Sequence, residues 1–412
     1  MNILFIHQNF PGQFKHLAPA LASRGHHVVA LVMHKTPPEK LNGVTLVGYR
    51  PERSSSEKIH PWIADFEAKA IRGEAAFLKA LELKKEGFTP DVIIAHPGWG
   101  ESLFLKEVWP HAKLGIYCEF FYLAEGGDVG FDPEFSSDDL TIKCKIKLKN
   151  TNNLLHFEFA DAAISPTKWQ ASTFPERFKS KITVVHDGID TVHIKPNPNV
   201  AIKINDGQVF GKKDEIITFV NRNLEPMRGY HIFMRALPAL LKARPKAHVL
   251  IVGGDHVSYG PKPDSDSWKN IFIKEVRGQI DDDDWKRVHF LGNIPYRQFI
   301  GLLQISTVHV YLTYPFVLSW SLLEAMSVGC SIVASDTTPL HEVIENDQTG
   351  CLVDFFDSAA LTEKIVYLLK NPKERERLGR NAREFASKNY DLENVCLPKQ
   401  LAWVESLAKF DK

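Results

Sequence analysis

The sequence predicts an α/β protein of two tandem domains, each a doubly wound, mostly parallel sheet. Three observations lead there. The chain has 412 residues, too many for one ordinary core at roughly 150 residues per domain. Short apolar runs alternate with helical periodicity in both halves, the signature of βαβ units. A polar stretch rich in Gly, Pro and Asn, from DGIDT through KPNPN to NDGQVFGKKD, breaks the alternation between Asp187 and Asp214. The expected organisation is a first domain over 1–195, a linker over 196–214, a second domain over 215–390, and a terminal helix over 391–412 that packs back on the first domain.

In the first half, Asn2–His7 reads as the opening strand. Phe14, Leu17 and Leu21 then mark one helical face, which Arg24-Gly25 ends. Further strands are expected at His27–Met33, Thr45–Gly48, Asp91–Ala95, Leu114–Cys118, Ala162–Ser165 and Ile182–His186. Most end where a polar or Gly-rich loop begins, so the loops gather at carboxyl strand ends, where open parallel sheets bind ligands. The second half reads as strand Ile216–Val220, helix Tyr230–Ala243, and strands His248–Val252 and Val288–Leu291. Helix Tyr296–Gln304, strand Thr307–Thr313, helix Ser319–Val328 and strand Ser331–Ala334 come next. Helix Pro339–Glu345, strand Cys351–Asp354 and helices from Ser358 onward complete the series. No short repeat or low-complexity segment is present, which removes solenoid folds.

Composition narrows the function. Apolar residues are 44% and charged residues 24% of the chain, as in a folded globular protein. Lys plus Arg and Asp plus Glu number 50 each, so no global basic field exists to hold a nucleic acid, and any phosphate recognition must be local. The opening run MNILFIHQNF lacks a basic n-region and its apolar stretch stops at His7, so no secretory signal is expected. No run approaches the 18 apolar residues of a membrane span. Cys118, Cys144, Cys330, Cys351 and Cys396 are scattered without a CxxC pair and read as reduced thiols. The expected location is cytoplasmic, with at most peripheral contact at the inner face of a membrane. The alternating Lys143, Lys145, Lys147 and Lys149 read either as a solvated face or as a contact for anionic lipid.

Two constellations in the second half suit a diphosphate. The segment Tyr314–Gly329 runs from a strand end into a helix, so the first-turn amides near Ser319, Trp320 and Ser321 are expected to be free for an anion, with Leu318 beside them in the donor site. Glu324, one turn on, is placed to accept hydrogen bonds from a ribose diol; otherwise it is a solvated carboxylate on a capped helix. Arg222 and Arg228 flank NLEPM after strand Ile216–Val220. As forked, permanently charged donors they suit phosphate oxygens and would stabilise a departing diphosphate; alone, such a pair is equally a surface ion-pair former.

In the first half, Glu119 follows strand Leu114–Cys118 within CEFFYLAEGGDVG and either orients or deprotonates an acceptor hydroxyl or caps its loop. His96 and Trp99 lie in AHPGWGE at another strand end, where an indole can stack on a sugar face; a core-satisfied histidine is the alternative. Glu125 and Asp128 are weaker candidates. The run Asp281–Asp284 precedes Trp285-Lys-Arg and reads as a solvated helix cap, not a metal site. With guanidinium groups and helix amides available, neither a metal nor an organic cofactor is expected. No GxxxxGK[ST], HExxH or GxSxG occurs, and the first βα loop lacks GxGxxG.

Leu-Leu-Glu-Ala-Met, Gly329, Ile-Val-Ala-Ser-Asp336, Glu342-Val-Ile-Glu and Gly350-Cys-Leu-Val resemble the donor half of retaining glycosyltransferase family 4. The motifs VNRNLEPMRGY, HVLIVGG, VHFLGNIPY and LLEAM fall in that family's order. In the first half the likeness rests on FPGQFKHLAPALASRGHHV, AHPGWGE and VVHDGIDT. The resemblance implies the GT-B fold, two Rossmann-like domains facing across a cleft, with a nucleotide diphosphate sugar held mainly by the second and an acceptor by the first. It implies retaining transfer to a glycan, lipid-linked or protein hydroxyl, in surface or secreted polysaccharide synthesis. By that likeness Arg222 and Arg228 clamp the diphosphate, Glu324 binds the ribose, the backbone near Ile294 binds the base, and Gly12 lines both donor and acceptor sites. Two departures stand out. Phe316 occupies the position, eight residues before Glu324, where the family usually has a glutamate, and the basic pair is spaced one residue wider than usual. Phe316 also motivates a rival reading, a catalytically silent nucleotide-sugar-binding scaffold; a nucleotide-sugar epimerase of the same fold is another.

Overall fold

The computed structural model describes residues 1–137, 139–204 and 207–409. The chain divides into two compact units, one formed by Met1–Gly188 with a returning segment from Glu393, the other by Ile189–Leu392. Residues 205–206 of the expected linker and 410–412 of the expected terminal helix lie outside the described residues.

The first unit is built on eight strands: β1 (Asn2–Ile6), β2 (His27–Val32), β3 (Lys40–Leu41), β4 (Val44–Gly48), β5 (Val92–Ala95), β6 (Lys113–Tyr117), β7 (Ala162–Ser165) and β8 (Ile182–Val184). Their order in the sheet is β3-β4-β2-β1-β5-β6-β7-β8, parallel throughout except for the β3–β4 pair. Alternate residues of β1 enter different cores. Leu4 and Ile6 pack with Ile93 and Leu114 on one face, and Ile3 and Phe5 with Val28 and Ile94 on the other, as the two-residue period of a strand buried on both sides requires. The terminal helix Leu397–Leu407 closes the second face by burying Leu401, Trp403, Val404 and Leu407 in that core. Gln400 Nε2 donates to the His186 carbonyl at 2.9 Å.

The second unit repeats the plan. Its strands are β9 (Ala201–Lys203), β10 (Val209–Gly211), β11 (Ile216–Asn223), β12 (His248–Gly254), β13 (Val288–Gly292), β14 (Val308–Tyr311), β15 (Ile332–Ser335) and β16 (Cys351–Val353). The main sheet runs β13-β12-β11-β14-β15-β16, every pair parallel. On one face Phe219 stacks on Phe233 of helix Tyr230–Ala243 with ring centroids 4.5 Å apart. In each main sheet the chain reverses its winding direction beside the first strand, at β1/β5 and at β11/β14. Those are the switch points where a ligand crevice opens at carboxyl strand ends.

Three expectations need correction. The 196–214 linker contains an antiparallel hairpin, β9–β10, whose Ile202 and Phe210 are buried against the second core; two apolar residues in a polar stretch sufficed to dock it. Pro339–Glu345 forms a 3-10 helix over Thr338–Glu342 instead of an α-helix. The four lysines lie on helix Thr141–Phe159, where a two-residue spacing separates neighbours by about 200°, so they form no single stripe. Among the described residues no helix is long and apolar enough to cross a membrane. All five cysteines are free thiols, and only Cys144 is exposed. Asp281 precedes helix Asp282–Trp285 without a side-chain capping bond, and the three aspartates of the first turn pair with Arg277, Lys286 and Arg287.

Candidate functional site

At the first unit's switch point two histidines terminate adjacent strands, His7 after β1 and His96 after β5, each only 2% exposed. Their tautomers follow from their partners. The Asn9 amide donates to His7 Nδ1 at 3.0 Å, so Nε2 carries the proton and donates to Gln13 Oε1 at 2.8 Å. That bond fixes the Gln13 amide, whose Nε2 donates to Glu119 Oε1 at 3.2 Å. The Gly98 amide likewise donates to His96 Nδ1 at 3.2 Å, which directs Nε2 toward Glu119 Oε2, 3.5 Å away. Both oxygens of Glu119 therefore face N–H groups, yet its side chain remains 42% exposed.

Burial by itself pushes the Glu119 carboxyl up, but the nearby imidazole N–H of His96, then His7 and Gln13, outweigh it and hold the group below the usual carboxylate range. His7 is lowered to about 4 by burial, with His96 adding to the effect. The result is an oriented, ionised carboxylate open to solvent on one side. Trp99 packs its ring on His96 and His7 at 4.7 and 4.8 Å, and Tyr117 stacks on His96 at 5.3 Å while its hydroxyl donates to Asp187 at 3.0 Å. Gly12 sits beneath the His7 ring. Its φ is +47°, and a Cβ there would stand 2.3 Å from the imidazole, so this glycine makes room for the histidine. Sequence reasoning brought Gly12, His96, Trp99 and Glu119 together but missed His7 and Gln13, which stand in the loop after β1. The six-residue spacing of a strand-end histidine and a glutamine was the available signal. Glu125 is exposed and pairs with Lys143.

At the second unit's switch point, the two arginines differ. Arg222 is exposed near the end of β11. Arg228 is 7% exposed, on the 3-10 turn Pro226–Arg228 that Gly229 closes with φ +67°, where a Cβ would meet Leu312 at 2.3 Å. Arg228 donates to Thr313 Oγ1 at 2.8 Å and to the Val317 carbonyl at 3.4 Å. Its guanidinium stands 5.2 Å from the Tyr259 ring centre and 5.7 Å from that of Phe316. Five N–H donors meet two neutral acceptors, and among the described residues no carboxylate lies within ion-pair distance. Glu225, 1% exposed, is pushed up by burial against the pull of the Ser258 and Tyr259 amides and of Arg228 and Arg222. Glu225, Thr313 and Tyr259 were not singled out from the sequence.

The first-turn amides of helix Trp320–Ser327 require a correction. Ser319 caps the helix. Its amide donates to Tyr311 Oη at 3.2 Å, and the Ser321 amide donates to Ser319 Oγ at 3.3 Å. Two of the three expected free donors are thus already engaged within the unit, because a strand tyrosine and the capping serine reach them first. Leu318 is buried, Trp320 half-buried, and Ile294 packs partly buried on the same core. Glu324 is 5% exposed and accepts a hydrogen bond from Tyr296 Oη, so it is held by a neighbouring aromatic hydroxyl instead of being a solvated surface group. Burial, then Glu324 itself, raises the Tyr296 phenol.

The profile of the Glycosyl transferase family 4 group matches residues 24–194, and that of Glycosyl transferases group 1 matches residues 202–385. The chain is 28% identical over 239 residues to Spore coat protein SA of Bacillus subtilis, covering 54% of this chain and 58% of the relative. It spans about half the length of the curated relatives it matches. Among solved structures it is similar in fold to a sucrose-phosphate synthase from Thermosynechococcus elongatus, with TM-score 0.74, 18% identity and coverage of 99% and 100% of the two chains. Anabaena Alr3699/HepE in complex with UDP and glucose gives TM-score 0.66 and 17% identity, with coverage of 98% and 99%.

Proposed function

Because the chain belongs to glycosyl transferase family 4, with the group 1 signature over its second half, we propose that it transfers a sugar from a nucleoside diphosphate sugar to an acceptor hydroxyl. The observation that carries this reading is Arg228, a buried guanidinium at a switch point with donors in excess of its protein acceptors. A buried charge costs free energy unless it is matched, and a diphosphate supplies the counter-charge and the acceptor oxygens. Arg222 adds an exposed, adjustable donor, and Glu324 with Tyr296 offers a hydrogen-bonding pair for the ribose, with the backbone near Ile294 beside the base. The UDP held by HepE agrees with a nucleotide donor of this class.

The catalytic step in this proposal is departure of the diphosphate, stabilised by Arg228 and Arg222 as charge develops on the leaving oxygen. Transfer proceeds with retention, the departing phosphate taking the acceptor proton. Glu119, an ionised carboxylate fixed by Gln13 and His96, aligns the acceptor hydroxyl, and Trp99 offers an aromatic face to the acceptor. No metal or cofactor enters the scheme. In this proposal the product belongs to surface or secreted glycan synthesis, a reading supported only by analogy with the family.

The test is release of nucleoside diphosphate from a panel of nucleotide sugars. Arg228→Ala is expected to lower kcat/KM about 10²–10³-fold, and Arg222→Ala about tenfold with an unchanged unfolding midpoint. Because Arg228 is buried, Arg228→Lys serves as a second variant: it keeps the charge, loses the fork, and should recover part of the rate. Wild-type activity in Arg222→Ala and Arg228→Lys together would refute the assignment.

A further inference from the structure

A small recess of about 40 Å³ lies beside Glu119 in the first unit, lined by His96, Tyr122, Lys149 and Asn152 among others. Its size corresponds to about three waters, room for one substituent of a ligand that reaches in from solvent. Asn152 is 2% exposed and fixed at both ends. Its Nδ2 donates to the Pro97 carbonyl at 2.7 Å, which sets the amide orientation. His156 Nδ1 donates to its backbone carbonyl at 2.7 Å, while Ser102 Oγ holds His156 Nε2 at 2.8 Å. The amide oxygen that results, Asn152 Oδ1, is buried and has no hydrogen-bond partner. Such an atom is uncommon in a native fold and calls for a donor. Lys149, three residues before Asn152 on the same helix, also lines the recess, its ammonium 3.6 Å from the centre of the Tyr122 ring.

We propose that this recess is an acceptor subsite for a neutral hydroxyl group, which donates to Asn152 Oδ1 and accepts from the Lys149 ammonium. The inference rests on the transferase reading and deepens it by naming the substrate class: a polyol or sugar that carries a second hydroxyl beside the one transferred to. The chemistry selects a hydroxyl over an anion. Lys69 and Lys149 both line the recess beside Glu119, so charge alone does not select the ligand; the selection comes from Asn152 Oδ1, to which a carboxylate or a fully ionised phosphate has no proton to give. An alkyl group would leave Oδ1 unsatisfied. A group that is both donor and acceptor answers Asn152 and Lys149 together.

The experiment is saturation-transfer NMR on the full-length protein with D-glucose, myo-inositol and D-glucuronate as probes, and with UDP titrated separately. Glucose or inositol is expected to bind, with at least tenfold weakening in Asn152→Leu, which removes the carbonyl, and in Lys149→Met, an exposed position where folding is not at stake. UDP binding should be equal in all three proteins, and an unchanged unfolding midpoint of the first unit, which contains Asn152, reports that Asn152→Leu is folded. Failure of both neutral probes while UDP binds overturns this inference and leaves the transferase reading standing. Tighter binding of glucuronate, or polyol binding that survives Lys149→Met, overturns the hydroxyl assignment. Where UDP fails to bind, GDP and ADP replace it as the titrant, and failure of all three nucleoside diphosphates removes the transferase reading itself.

Discussion

At the scale of single residues, the site is a set of side chains whose freedom has been removed by their neighbours. The His7 tautomer is decided by one backbone amide, and the proton it leaves on Nε2 sets Gln13, which in turn sets Glu119. Gly12 is the tightest point of this arrangement. In Gly12→Ala the new methyl would lie 2.3 Å from the imidazole at a positive φ. About 1–3 kcal/mol of overpacking strain is expected, with roughly 1 kcal/mol more for the left-handed backbone. The unfolding midpoint of the first unit should fall and Glu119-dependent turnover with it; an unchanged midpoint and rate would show that the loop after β1 relaxes freely. Phe316, at the position where the family resemblance leads to an expected glutamate, has a physical role here. With Tyr259 it flanks Arg228, so the position supports the guanidinium with a ring face instead of a carboxylate.

At the scale of elements, helix Trp320–Ser327 illustrates what a motif leaves undecided. The sequence located the helix, expected over Ser319–Val328 and observed over Trp320–Ser327, but did not single out Ser319 as its cap. It did not reveal that Tyr311 of β14 claims the Ser319 amide, since that partner is eight residues away and on another element. Ser319→Ala removes the acceptor of the Ser321 amide and is expected to destabilise the second unit by about 1 kcal/mol. Chemical denaturation followed by circular dichroism measures this directly, and a cost near zero would mean that Tyr311 alone secures the helix start. Helix Thr141–Phe159 was hidden for a different reason. Its buried positions include Asn150, Asn152 and His156, so the inward face is polar and gives no apolar period to read.

At the scale of the whole molecule, burial of neutral histidines ties stability to pH. His7, His156 and His309 are lowered to about 4 and His186 to about 3, in each case chiefly by burial. Their native forms are neutral while the unfolded chain protonates near 6.5, so the unfolded state binds more protons between those values. The stability they contribute is complete above pH 6.5 and declines as pH falls toward 4, by up to about 3 kcal/mol for each. Glu101 and Glu225, raised by burial, act in the opposite sense and offset part of this loss. Three of the histidines belong to the first unit and only His309 to the second. Unfolding followed at pH 7, 6 and 5 with a probe in each unit should therefore show the first unit weakening more steeply. Parallel loss in both would contradict the burial argument.

The alternation of strands and helices, the presence of two α/β halves and the family were legible in the sequence, because each is written in local periodicity or in contiguous motifs. So were the individual members Arg222, Arg228, Glu324, His96 and Glu119, which stand at strand ends or helix starts that the pattern marks. Tertiary structure alone decided that Arg228 is buried and Arg222 exposed, that two helix amides are already taken, and that His7 and Gln13 hold Glu119. It alone left Asn152 Oδ1 without a donor. The physical reason is that burial and hydrogen-bond satisfaction depend on groups distant in sequence that meet only when the sheets form, and a linear pattern carries no record of which donor reaches an acceptor first.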